Sequence, residues 1–148
     1  TNASQLFAFA EMVNSGNTFA GKEVNLKAHV DLNNKPWTPI GLNAEGNKKF
    51  KGVFNGNSYT IKNLKVETED GYTAAGFFGV LNGTAKNFTI ENAYIKHIST
   101  GDATVNGIAV VAGSIYTSGS ICDVTVKNAE VYGNRYVGGI AGYTYGNI

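Results

Sequence analysis

Apolar and polar residues alternate with a period of two through three stretches of the chain. Phe88-Thr89-Ile90 and Val124-Thr125-Val126 each set a hydroxyl between two apolar side chains, and Leu64-Lys65-Val66 sets a lysine there. Such alternation predicts strands with one buried face. Laid on one another, residues 61–67 match 85–91, and 85–91 match 121–127, at offsets of 24 and 36 residues. The second match runs on, Asn92-Ala93-Tyr94-Ile95 onto Asn128-Ala129-Glu130-Val131.

A second element recurs as Gly76-Phe77-Phe78-Gly79, Val110-Val111-Ala112-Gly113 and Gly139-Ile140-Ala141-Gly142. Each copy is followed by a turn glycine, Gly83, Gly119 or Gly146. A unit of short strands that recurs without helical period predicts a solenoid. Stacked equivalents would lie about 4.8 Å apart in parallel ladders, with Asn92 over Asn128 and Asn63 over Asn87 as corner amides. Unequal offsets disfavour a strictly regular left-handed hexapeptide helix. The predicted fold is therefore all-β: a right-handed parallel β-helix whose corners carry loops of different length.

The two ends differ. Leu6, Phe9, Ala10 and Val13 form one helical stripe, with Ser4 as expected N-cap and Gly16 as expected stop. Residues 1–20 are thus expected to be a short capping α-helix and residues 21–148 the β-helix coils, beginning with strands around Val24 and Val30. The C-terminal stretch "GGIAGYTYGNI" reads as half of another unit. An uncapped last coil is expected there, as in a fragment of a longer array or a chain that associates end to end.

"WTPIG" (Trp37 to Gly41), "FKGVFNGNSYTIKNL" (Phe50 to Leu64), "GFFG" and "VGGIAG" together resemble bacterial surface repeat proteins with the glycine-rich GLUG-type motif. Such motifs occur in gut Bacteroides surface proteins and beside the catalytic part of immunoglobulin A1 proteases. The resemblance covers the chain from Leu6 onward. It implies an exported, surface-attached right-handed β-helix, extracellular or on the bacterial cell surface, with no catalytic residues of its own. Val110 departs from the pattern by replacing the leading glycine.

Composition narrows the chemistry. Nineteen glycines against two prolines, spread among apolar runs, suit many tight turns in one domain of 148 residues. Twelve basic and eleven acidic residues give a net charge of +1, and Lys48-Lys49-Phe50-Lys51 is the densest basic patch. That is no footprint for nucleic acid. No apolar run reaches a membrane span. Cys122 is alone, which excludes an intrachain disulfide, and it is expected to be an inert surface thiol. His29 and His97 stand far apart, so no metal or other cofactor is expected. His29 and Asp31 share a face expected to be solvated.

Two acidic arrangements remain as alternatives. Glu67 and Glu91, in the 24-residue register, would lie about 5 Å apart, the separation of a retaining glycosidase pair. Glu67, Glu69 and Asp70 could recruit calcium. Arg135, the one arginine, is remote from both.

Tyrosines carry the stronger expectation. Tyr116 and Tyr145 each follow a recurring glycine by three residues and should stack, with Tyr143 close by and Tyr132 and Tyr136 flanking the last corner. Such a row is a platform for host glycans or glycoproteins, or a ladder that only joins neighbouring coils. The longest insertion, residues 97–107 with Asp102, is a candidate specificity loop. The expected function is non-catalytic adhesion or ligand binding. The alternatives are a spacer or substrate-holding module of an immunoglobulin A1 protease-like protein, or a polysaccharide lyase or hydrolase using Glu67 and Glu91.

Overall fold

A computed structural model describes residues 2–42, 48–99 and 107–148. These are mostly β, with parallel strands and, among the described residues, a single short helix. The helix α1 (Ala3–Asn14) buries Leu6, Phe9, Ala10 and Val13, the stripe expected from the sequence. Its N-cap is Asn2 rather than Ser4: the Asn2 side chain accepts from the Gln5 N–H at 2.9 Å. Ser15 is the C-cap, and Gly16 follows with φ +112°.

The strands are β1 (Glu23–Asn25), β2 (Val30–Asp31), β3 (Val53–Lys62), β4 (Lys65–Thr68), β5 (Phe78–Leu81), β6 (Thr84–His97), β7 (Ala112–Ile115), β8 (Ser120–Tyr132) and β9 (Ala141–Thr144). One sheet runs β1-β3-β6-β4, with β2 also on β3 and β8 also on β6; the other runs β5-β7-β9. Every ladder is parallel.

Register follows from left-handed corners. Asn63, Asn92 and Asn128 have φ of 56°, 57° and 50°, and stand level because Lys62 opposes Glu91 and Glu91 opposes Lys127. Asn87 and Asp123 make a second such corner, with φ of 58° and 53°. Asparagine tolerates this backbone because its short side chain bonds locally. Asn63 Nδ2 donates to Asp31 Oδ1 at 2.8 Å, and that bond, followed by the Asn33 N–H, holds the Asp31 carboxyl below its usual range.

The 36-residue offset is as expected, with Phe88 opposite Val124 and Ile90 opposite Val126. The 24-residue offset is not. Tyr59 opposes Phe88 and Ile61 opposes Ile90, so Leu64 is not level with Phe88, nor Asn63 with Asn87. The corners of β6 at Asn87 and Asn92 are five residues apart, and the 24-residue match sets Asn63 on the first where the ladder, at an offset of 29, sets it on the second. A bulge disguises the true match: Gly56, Asn57 and Ser58 occupy the place of Asn87 alone, with Asn57 and Ser58 both at positive φ. Gly56 is required there, since a Cβ would stand 2.2 Å from that of Phe88.

The core lies between the sheets and under α1. Phe54 touches the rings of Phe9, Phe77, Phe78 and Phe88 at centroid distances of 5.4–5.9 Å. Trp37 stacks on Phe77 at 5.0 Å and its Nε1–H donates to the Phe77 carbonyl at 3.0 Å. The turn glycines at 52, 83, 119 and 146 follow one another along the stack. A Cβ on Gly83 would meet the Gly52 carbonyl at 2.2 Å.

Two substitutions test this account by urea unfolding. Phe54→Ala should cost about 3–5 kcal/mol through the cavity it opens. Asn92→Val should cost about 1–3 kcal/mol, whereas Asn92→Gly should stay within about 0.5 kcal/mol of the parent. Equal losses for the two Asn92 variants would mean that the left-handed corner does not set stability.

Candidate functional site

Tyr116 follows β7, while Tyr143 and Tyr145 belong to and follow β9, which pairs with β7. That pairing puts the Tyr145 ring 6.4 Å from Tyr116. Tyr143 meets Tyr145 edge-on at 5.1 Å and Tyr136 at 5.2 Å. The four rings thus form one contiguous patch, with Tyr145 61% and Tyr136 51% exposed. The Tyr143 hydroxyl donates to that of Tyr145 at 2.9 Å. This bond holds the Tyr143 pKa above its ordinary value and leaves the Tyr145 proton to point toward solvent or a ligand.

Two cations border the patch. Lys49 Nζ lies 4.7 Å from the Tyr116 ring centroid, and the Arg135 guanidinium 6.0 Å from that of Tyr136. Sequence reasoning missed both roles. Arg135 adjoins Tyr136 in the chain, which was a signal. Lys49 reaches Tyr116 from the stretch that bridges Phe50 to Leu81, and nothing local announces that contact.

Tyr132 belongs elsewhere. It ends β8 beside Tyr94, with ring centroids 5.7 Å apart, and donates to Glu130 Oε2 at 3.0 Å. That carboxylate raises its pKa, through the hydrogen bond and then through charge.

The paired-carboxylate arrangement does not form. Glu67 stands opposite Lys96 and Glu91 opposite Lys62, because the ladders run here at an offset of 29 residues rather than 24. Lys62 Nζ is 3.6 Å from Glu91, and Lys65 Nζ is 3.4 Å from Glu67. Glu67, Glu69 and Asp70 line a shallow depression of about 550 Å³ with Tyr72 and Lys96. Among the described residues no group of three or more His, Cys, Asp or Glu side chains is arranged to hold a metal ion. Cys122 is exposed. His29 Nδ1 accepts the Thr60 N–H at 3.0 Å, and its ring meets Tyr59 edge-on at 5.2 Å. In the insertion 97–107, residues 100–106, and Asp102 with them, lie outside the described residues.

His97, at the start of the insertion 97–107, is buried. Its Nδ1 lies 2.8 Å from Thr68 Oγ1, while Nε2 has no hydrogen-bond partner among the described residues. Burial lowers its pKa, and the charge of Asp70 opposes that shift.

No protein-family model matches the chain. Halomucin of Haloquadratum walsbyi is 40% identical over 95 residues, which are 63% of this chain and 1% of halomucin. A protein described as a Gly-rich membrane protein, from Evansella cellulosilytica, is 32% identical over 96 residues, 64% of this chain and 10% of the relative. The chain therefore matches only a small part of either. No solved structure matches. No helix among the described residues is long and apolar enough to cross a membrane.

Stability should depend on His97. The folded chain disfavours the imidazolium, so the unfolded chain binds the extra proton first, near the ordinary pKa of about 6.5. Stability should be full above that pH and fall as pH drops through it toward the lower folded value. Urea midpoints between pH 5 and 8 should show this slope, and His97→Gln should flatten it. An unchanged slope in the variant would assign the effect to other groups.

Proposed function

We propose that this chain is a right-handed parallel β-helix module, capped by α1, that acts outside the cell or on its surface as a non-catalytic binding element. Support for the winding comes from the ladders. Parallel neighbours are offset by 29–36 residues in the strands from β3 onward, and parallel strand crossovers within a sheet are overwhelmingly right-handed. The GLUG-type resemblance is part of the same proposal.

The observation that carries the binding reading is the contiguous patch of Tyr116, Tyr136, Tyr143 and Tyr145. Flat, partly exposed rings 5–6 Å apart suit the apolar faces of pyranose rings. The Tyr145 hydroxyl supplies a donor, and Lys49 and Arg135 favour glycans or glycoproteins that carry acidic groups. Rings already packed on one another lose little freedom when a ligand arrives.

A glycan and glycoprotein array with the purified chain tests this. Neutral and acidic glycans should be compared, beside Tyr143→Ala/Tyr145→Ala and Tyr132→Ala variants. The double variant should bind at least about tenfold more weakly, with Tyr132→Ala unaffected and far-UV circular dichroism unchanged in both. Binding that survives the double variant, or no binding by the parent chain, would overturn the assignment.

A further inference from the structure

Asp31, Lys62, Glu91 and Lys127 stand in one outward row across β2, β3, β6 and β8. Their charges alternate in sign at every step. Neighbours in such a row lie about 4.8 Å apart, where like charges repel and opposite charges attract. Lys62 and Glu91 approach to 3.6 Å. Lys127 ends the row among the described residues, with an acid on one side only.

The rest of β8 is also half-finished. It pairs with β6 along one edge. Val124, Val126 and Val131 are only half-buried, although their row partners Phe88, Ile90 and Ile95 are buried. The free edge has begun to accept chain at its start. Asn147 bridges Ser120, and the Ile121 N–H donates to the Asn147 carbonyl at 3.0 Å.

We propose that the outer edge of β8 is an acceptor for one further polypeptide strand in parallel register, with apolar side chains level with Val124 and Val126 and a carboxylate level with Lys127. Beyond Ile121 the edge offers backbone groups with no strand partner among the described residues, the valines offer apolar surface, and Lys127 selects the register by its charge. An asparagine following the carboxylate would repeat the left-handed corner of Asn128.

A second copy of this chain fits the edge less well. Two β8 strands related by a twofold axis would run antiparallel, and their corners at 123 and 128 would then have to coincide. Because those positions are an odd number apart, coincidence sets Val124 against Lys127, an inward residue against an outward one. Head-to-tail stacking meets a closed end. There α1 covers the core, and the Asn14 side chain already bonds the Pro39 carbonyl at 3.0 Å and the Gly41 N–H at 2.8 Å.

The test uses a labelled peptide with the sequence of β6 (Thr84–His97), titrated with the full chain and read by fluorescence anisotropy. This peptide carries Phe, Ile and Glu in the spacing required. Peptide Glu91→Lys, or protein Lys127→Glu, should each weaken binding at least about tenfold, and the two reversals together should restore it to within about threefold. Amides at 124–127 should exchange more slowly in the complex. Binding indifferent to both reversals, or no binding at millimolar peptide, would overturn the proposal. Sedimentation that shows the chain alone associating, and Lys127→Glu abolishing it, would overturn it in favour of a self-interface.

Discussion

A left-handed corner repeated at the same level in neighbouring strands governs this structure. In a parallel ladder a residue can adopt positive φ only if its neighbours turn with it, or the hydrogen bonds between strands are lost. Asn63, Asn92 and Asn128 satisfy that condition together, as do Asn87 and Asp123. Each corner also resets which side chains face inward. Strand parity is therefore fixed between corners, and a slip of one residue would turn Phe88, Ile90 and Ile95 outward at once.

That constraint explains what the sequence disclosed. In β6 and β8 the two corners are five residues apart, 87 to 92 and 123 to 128, so the offset of 36 is legible by eye. In β3 the first corner holds two additional residues, and a match made on "KNL" and "KNF" settles on the wrong neighbour. The better signal was Thr60-Ile61-Lys62-Asn63 against Thr89-Ile90-Glu91-Asn92, where hydroxyl, aliphatic, charge and corner amide coincide. That single slip produced the Glu67–Glu91 pair, which the true register replaces with two lysine–carboxylate neighbours. The helix was legible through its buried stripe, but its start was not. Asn2 and Ser4 are both good N-caps, and periodicity does not choose between them.

The tyrosine patch divides the same way. Tyr116 and Tyr145 were legible because they hold the same place after a recurring glycine, and the β7–β9 ladder turns that place into contact. Tyr132 and Tyr136 look equivalent from the sequence, both close to the last corner. The stack separates them: Tyr132 ends a strand beside Tyr94, while Tyr136 precedes the bridge of Ile108 to Val137 and reaches Tyr143. Position along the chain sets proximity only within a strand; across strands, level decides.

Level also accounts for how the outward surface differs from the core. Inward rows repeat one kind of chemistry, because each aliphatic side chain needs an apolar neighbour above and below. Outward rows are free of that demand, and here they vary: hydroxyls at 60, 89 and 125, alternating charges at 31, 62, 91 and 127, and tyrosines at 116 and 145. Backbone ladders hold all of these at fixed spacing without help from the outward side chains. A change in an outward row can then alter what the face presents while the inward rows stay as they are; Asp31 is tied more closely, because its carboxylate accepts from Asn63 at a corner.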